Sequence, residues 1–404
     1  MASLNLLFVH EVSYEKKPIF EMHEFPEHLA ARGHKITFLQ FDEGFKFWRD
    51  KRQPVEKTIS GRVLPNIKIR LVTPHQFGIP GLDRLYATLS VWSQLGRLLK
   101  SEKFDAIVLY AVPTYGHQVI QLAKKFGVPV IFRALDVSHL IRKSLFSSLI
   151  RSAEKYIYRH ADILSANNPA MARYCATLGN RGTKTFINPP PLDVSHFNPD
   201  KVHRRDLADL RSSLGIASDS KVITYMGSFF YFSGLDTVIS EFASLSDPTI
   251  TLLLIGGGEQ DSELRQMVNH FKLEGRVVFT GFIPYEHLPS YLQLSTVAIN
   301  PMLSQQVSNT AFPHKVLQYM AAAVPVVSTK LEGIFETFGP DSGISWAEDP
   351  AEVLRHALNL ANDKEARAFA TQAQTRCLEE TLKIEASISN FEHLLAKSIG
   401  LFDE

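Results

Sequence analysis

The chain has 404 residues, 45% of them hydrophobic and 21% charged, with a net charge of +1, the profile of a soluble globular protein of two or three domains. No run of about 18 apolar residues occurs, so no membrane span is expected, and MASLNLLFVH reads as a first strand rather than a signal peptide. The two cysteines, Cys175 and Cys377, lie far apart in sequence, which argues against a disulfide framework or a cysteine-ligated metal and suits a reducing cytosol.

The first half repeats a strand-helix rhythm. SLNLLFVHE is a strand, PIFEMHEFPEHLAARG a helix stopped by Gly33, and HKITFLQF a second strand. IKIRLVT is another short strand. RLYATLSVWSQLGRLLK is an amphipathic helix with Leu85, Leu89, Trp92, Leu95 and Leu99 at helical spacing. DAIVLYA, PVIFRA, ADILSAN and TKTFINP are strands separated by helices over GHQVIQLAKKFG, HLIRKSLFSSLIRSAEKYIYRHA and MARYCATLG. NPPPLDVSHFNPD breaks the rhythm, because consecutive prolines supply no ladder donors and favour an extended linker. The expected organisation is a first domain over 1–190, a hinge over 191–199 and a second domain over 200–384. A last helix at about 385–404 is expected to return to the first domain.

The second domain opens with KVITYMGSFFYFSGLDTVISEF and continues with TLLLIGGGEQ and RVVFTGFIPYEHLPSYLQLSTVAINPM. It closes with FPHKVLQYMAAAVPVVST. Four apolar strands alternate with helices, and each strand ends in a loop rich in Gly, Ser, Pro or Asn. That is the pattern of a doubly wound parallel sheet whose ligand-facing loops lie at the carboxyl ends of its strands.

The order of these loops resembles the nucleotide-sugar half of the GT-B glycosyltransferases, glycosyltransferase family four in particular. ARGHKITFL, LDVSHFNP, LLLIGGGEQDSELR and VVFTGFIPYEHLPSYL fall on family segments. PHKVLQYMAAAVPVV matches the P-x-K-x-x-E-Y-M-A variant common in transferases that build bacterial surface polysaccharides. The resemblance implies an α/β GT-B fold of two Rossmann-like domains facing a cleft. It implies a retaining, metal-independent, hexosyltransferase-type enzyme without a cofactor. Such an enzyme moves a sugar from a nucleoside diphosphate to a hydroxyl of a glycan or lipid-linked acceptor. The alternative is a GT-B-shaped binding or regulatory protein that has lost catalysis.

Backbone N–H groups at a helix N-terminus neutralise a leaving diphosphate without desolvating a side chain. Pro313 suits the start of such a helix, with the N–H groups of His314, Lys315 and Val316 toward the phosphates and Lys315 adding charge. An ordinary solvated lysine is the other reading. Gly227 and Gly234 bracket a loop in which the family's Arg and Lys fall on Ser228 and Ser233, so both charges are missing. Lys16, Lys17 and Arg133 are candidate replacements. Gly256, Gly257 and Gly258 form either a ligand-facing turn or a plain tight turn. Phe282 and Ile283 match the segment that reads the base, with a core role for Phe282 as the alternative. The family's E-x7-E falls on Thr310 and Gln318. Gln318 retains hydrogen bonding to a ribose diol, whereas Thr310 carries no negative charge.

In the first domain, Arg133, Asp136 and His139 follow a buried strand. Asp136 is either a base or electrostatic stabiliser for the acceptor or a helix N-cap. His10 is a further candidate at the end of the first strand. Residues 1–190 carry 27 Lys and Arg against 15 Asp and Glu, about +12, leaving 16 against 27, about −11, of the totals of 43 and 42 for the rest. The basic half either meets an anionic surface or attracts the acidic half. Nucleic acid is not expected, since no zinc-finger spacing or RNP-type signature is present. Along HLIRKSLFSSLIRSAEKYIYRH, Arg142, Lys143, Arg151, Lys155 and Arg159 accompany Leu140, Ile141, Leu145, Phe146, Leu149 and Ile150. This is either a membrane-surface helix or one packed on its own sheet. The expected location is cytoplasmic, with peripheral attachment to the inner membrane face following the first of these readings.

Overall fold

The computed structural model describes residues 2–42, 55–75, 83–110, 112–141, 145–179 and 184–401. The chain groups into two compact units, Met1–Pro191 with Ile384–Glu404, and Leu192–Lys383.

Unit 1 is built on one sheet whose described strands are β1 (Asn5–Val9), β2 (Lys35–Leu39), β3 (Val55–Ser60), β4 (Lys68–Thr73), β5 (Ala106–Leu109), β6 (Val130–Ala134), β7 (Ile163–Ala166) and β8 (Lys184–Ile187). Their order is β3-β4-β2-β1-β5-β6-β7-β8. All neighbours pair in parallel except β3, which runs antiparallel to β4. The sequence VEKTIS of β3 is almost wholly exposed, so it carries no apolar signature and was not expected as a strand. The central strand β5 (AIVL) is apolar throughout and fully buried, as expected of a strand covered on both faces.

The helix Asp83–Ser101 buries Ala87, Val91, Leu95, Leu98 and Leu99 against this sheet. The expected stripe is therefore corrected: Leu89 and Trp92 are exposed, and the Leu85 side chain lies outside the described residues. Apolar residues occupy both faces of this helix, so periodicity alone could not fix its phase. The helix Ile384–Ser398 packs on the opposite face through Ile388, Phe391, Leu394 and Leu395. Its Phe391 ring centre lies 4.5 Å from that of Phe25, and Glu392 pairs with Arg32 at 2.5 Å and His34 at 3.0 Å. The C-terminal helix thus completes the core of the first unit.

Unit 2 carries β9 (Lys221–Ser228), β10 (Ile250–Gly257), β11 (Val277–Gly281), β12 (Val297–Asn300), β13 (Val326–Thr329) and β14 (Ser345–Ala347). The order is β11-β10-β9-β12-β13-β14, parallel throughout. Sequence order reverses direction between β9 and β12, and an open α/β sheet binds ligands at the carboxyl ends of the strands flanking such a reversal. The segment Val194–Phe197, expected within the hinge, forms a 3-10 turn on this unit. There His196 stacks on Tyr285 at 4.1 Å and Phe197 is fully buried.

Candidate functional site

The carboxyl end of β9 meets the helix His314–Ala321 through one residue pair. The half-buried Lys315 Nζ donates to the Tyr225 hydroxyl at 2.7 Å and sits 3.9 Å from the centre of its ring. That hydroxyl donates in turn to the Ser228 carbonyl at 2.9 Å. Burial pushes the Tyr225 phenol up and the Lys315 ammonium down to about 7, so neither group has a full counter-charge. Lys315 is the expected residue, held near the expected glycine. A Cβ on Gly227, whose φ is 136°, would come within 3.0 Å of both Lys315 Cε and Nζ. Sequence reasoning missed Tyr225, although it lies two residues before Gly227 and so on the same face of the strand.

Gly256, with φ of 126°, crosses against Gly227, where a side chain would run into the Gly227 carbonyl oxygen. Two backbones therefore touch beneath the Lys315 side chain. Gly258 lies against the backbone of Phe229. Phe282 is 63% exposed, with its ring 3.3 Å from where a Gly257 Cβ would stand, so it is not a core residue. Ile283 beside it is half-buried.

Pro313 is the N-cap of the helix His314–Ala321 rather than its first residue. The Val316 N–H donates to the Pro313 carbonyl at 3.0 Å, so of the three expected N–H donors Val316 is already engaged. The Tyr319 hydroxyl accepts from the Met226 N–H at 2.6 Å and fastens this helix to β9. Gln318 is buried and its side-chain amide makes no hydrogen bond among the described residues. Thr310 Oγ1 donates to the Gln306 carbonyl at 2.8 Å, the use expected of a helical threonine. Ser228 is half-buried, and Ser233 is buried with its hydroxyl unpartnered among the described residues. The same holds for Asn300 Oδ1 and Thr329 Oγ1 at the ends of β12 and β13. Buried polar atoms are nearly always satisfied, so these three stand out among the described residues on the carboxyl side of the sheet.

In unit 1 the expected trio separates. Arg133 is fully buried and gives Nε and Nη2 to the two carboxylate oxygens of Glu21 at 2.7 and 2.8 Å, and Nη1 to Ser165 at 3.0 Å. It is committed internally and is corrected as a diphosphate-facing cation. Lys16 is paired with Asp42 at 2.5 Å, and Lys17 has its own partners. Asp136 keeps an open face to solvent, while surrounding protein and the Glu21 charge raise its carboxyl to about 6. Among the described residues the next helix begins at Ser147, so Asp136 caps no described helix.

His139 Nδ1 meets Glu154 Oε2 at 2.6 Å. Glu154 is fully buried and also accepts from the Ser138 N–H at 2.6 Å and the Tyr174 hydroxyl at 3.3 Å. With Nδ1 engaged by the carboxylate, Nε2 is the ring nitrogen turned away from Glu154. Glu154 was not anticipated, since a glutamate inside a basic helix reads as a solvated residue. His10 stacks on Tyr110 at 5.3 Å and accepts from the Glu11 N–H at 2.8 Å. Burial, Lys17 and His23 lower its pKa to about 3, so it stays neutral. Glu11 accepts from the N–H groups of Thr114 and Tyr115 at 2.5 and 2.8 Å. That carboxylate fills the helix N-terminus at the β1–β5 reversal, the place where unit 1 would otherwise receive a phosphate.

Comparison with known proteins agrees with this division. The Glycosyl transferase 4-like domain family matches residues 22–191 and the Glycosyl transferases group 1 family matches residues 207–376. The chain is 23% identical over 385 residues to N-acetyl-alpha-D-glucosaminyl L-malate synthase of Bacillus anthracis, covering 91% of each chain. Among solved structures it is similar to sucrose-phosphate synthase from Thermosynechococcus elongatus, with a TM-score of 0.79 at 18% identity over 99% of this chain and 100% of that one. It is also similar to Anabaena Alr3699/HepE in complex with UDP and glucose, with a TM-score of 0.74 at 18% identity over 97% and 99%. The chain belongs to glycosyltransferase family four and has the GT-B fold.

Proposed function

We propose that this member of glycosyltransferase family four transfers a hexosyl group from a nucleoside diphosphate to a hydroxyl of a glycan or lipid-linked acceptor in surface polysaccharide synthesis, at the inner face of the cell membrane. The observation that carries the reading is the Lys315 ammonium held at a helix N-terminus over Gly227. The bond from the anomeric carbon to the diphosphate oxygen breaks with retention while the bond to the acceptor oxygen forms. Negative charge grows on the diphosphate, where Lys315 and the N-terminal turn of the helix meet it.

Tyr225 holds Lys315 when no diphosphate is present, and Lys315 supplies the charge that the basic residues absent at Ser228 and Ser233 would have given. Gln318 takes the ribose hydroxyls and Phe282 covers the base. Asn300, Thr329 and Ser233 offer their unpartnered atoms to the sugar and phosphates. On unit 1, Asp136 receives the acceptor proton, a task suited to a carboxyl raised toward neutral pH, and His139 Nε2 orients the acceptor. The complex of Alr3699/HepE with UDP and glucose supports a uridine nucleotide as the first donor to try.

Thermal shifts across a panel of nucleotide-sugars test the reading. A donor at a hundredfold excess over its Kd stabilises the protein by about 2.7 kcal/mol. No shift with any nucleotide-sugar would remove it.

A further inference from the structure

The helix Ser147–His160 packs on its own sheet. Ile157 and Tyr158 are fully buried, and Leu140 and Ile150 pack against the same core, while Leu145, Phe146 and Leu149 stay exposed. Arg142 and Lys143 lie outside the described residues. The end of this helix, with Tyr156 and His160, forms one wall of a cavity of about 860 Å³, a volume in the range of ligand sites. The cavity belongs wholly to unit 1 and lies at the amino ends of β5, β6 and β7. Asp105, Pro129 and Asp162 stand directly before those strands and line it. Asp136 and His139 follow the carboxyl end of β6, so the five residues of that strand, about 16 Å, separate the two places.

The walls combine three chemistries. Phe104 and Ile120, both buried, give an apolar floor. Lys103 and Lys124 add two ammonium groups, and Asp105 and Asp162 add two carboxylates. Each carboxylate commits one oxygen to the fold: Oδ2 of Asp105 accepts from the Asn5 N–H and Oδ2 of Asp162 from the Val130 N–H, both at 2.7 Å. Their Oδ1 atoms and both ammonium groups have no partner among the described residues. The dipole of a helix C-terminus accounts for Lys124, but it disfavours carboxylates beside it. The third part is a row of rings. His160 stacks on Tyr156 with centres 4.2 Å apart, and His117 packs on Tyr156 at 4.4 Å. The Gln121 amide donates to the Tyr156 hydroxyl and keeps its oxygen as an acceptor. His117 lies in the first turn of the helix Gly116–Phe126 and His160 in the last turn of its neighbour. The row therefore follows the seam between the two helices, from the carboxyl side of the sheet toward the cavity.

Charges of both signs balance across this space. An anion meets two carboxylates there and a cation two ammonium groups, whereas a hydroxyl both donates and accepts and is served by each. A pyranose carries hydroxyls at its rim and an apolar C–H face that lies on an aromatic ring. We infer that unit 1 holds a second glycan-binding site at the amino ends of β5, β6 and β7, where a neutral oligosaccharide is gripped by Asp105, Asp162, Lys103 and Lys124 with His160 as its ring platform. The inference rests on the glycan acceptor proposed above and extends it. A chain held along the seam keeps its other end close to Asp136 between transfers.

The test is a saturation-transfer NMR titration of the full chain, without nucleotide, using maltohexaose, cellohexaose and laminarihexaose. At least one binds, and salt does not weaken it, since no net charge is exchanged. His160→Ala, which removes the platform, and Asp162→Asn, which keeps the Val130 bond, each weaken binding by about fivefold. Both positions are exposed, so the melting temperature and the nucleotide-induced thermal shift stay at wild-type values. Glycan binding without any nucleotide shift would defeat the donor reading alone, and the reverse would defeat this inference alone. No binding of the three hexasaccharides, or binding unchanged in both variants, would overturn it. So would binding lost in Asp136→Ala and kept in His160→Ala, which would place the glycan at the acceptor end only.

Discussion

Lys315 meets one tyrosine twice: its ammonium lies 2.7 Å from the Tyr225 oxygen and 3.9 Å from the centre of the Tyr225 ring. A hydroxyl and a π face stabilise a cation less than a carboxylate does, so the lysine remains available to an incoming anion while its position is fixed. Lys315→Ala is expected to weaken nucleoside diphosphate binding by about 1.5–3 kcal/mol, the range for hydrogen bonds to charged groups. Calorimetric titration measures it, and unchanged affinity would remove Lys315 from the site.

The same pair gives a pH dependence. Burial lowers the free Lys315 pKa to about 7, and a bound diphosphate raises it again. Binding above pH 7 therefore takes up a proton, and affinity falls as pH rises from 7 toward the pKa of the bound form. Well below pH 7 the lysine is charged in both states and contributes no slope. Titrations at pH 8 in two buffers of different ionisation enthalpy detect the uptake. Lys315→Met abolishes it while leaving a similar volume.

Gly227→Ala introduces a methyl 3.0 Å from Lys315 Cε and Nζ at a φ of 136°. The backbone strain costs about 1–3 kcal/mol of stability, and the displaced lysine weakens diphosphate binding in addition. Urea unfolding and diphosphate titration of the same variant separate the two effects. A loss of stability with wild-type affinity would make the glycine structural only.

Gln318→Leu is expected to lower nucleotide affinity without lowering the melting temperature, because the amide has no hydrogen bond to lose within the described residues. Gln318→Glu retains binding, since a carboxylate also accepts from a diol. A bound-nucleotide structure with Gln318 turned away from the ribose would end the assignment.

Arg133 and Glu21 form a fully buried, doubly hydrogen-bonded pair. Arg133→Met strands the carboxylate and is expected to cost about 3–5 kcal/mol in denaturant unfolding. Pairing it with Glu21→Leu recovers most of that loss. If the double variant is as unstable as the single one, the partnership is not what Arg133 contributes.

The alternation of apolar runs, glycine loops and the PHK turn made the two α/β units and the Lys315 segment legible in sequence, because each depends on local spacing. The surface strand β3 was not, since VEKTIS pairs through its backbone and buries nothing. Nor was the fate of Arg133. Its burial follows from Glu21, 112 residues away in the chain, and no local pattern reports such a distant partner. Glu154 was hidden for the same reason. Among basic neighbours it reads as a surface ion, and only the fold turns it inward to His139.

The central claim is retention with the diphosphate on Lys315, and the anomeric configuration of the released sugar tests it most directly. The stabilising nucleotide-sugar, α-linked, is incubated with the protein and the first sugar product is followed by proton NMR before mutarotation. The account predicts the α-anomer, formed roughly a hundredfold more slowly by Lys315→Ala. A β-anomer, undiminished turnover in Lys315→Ala, or a donor bound tightly and never cleaved would contradict it.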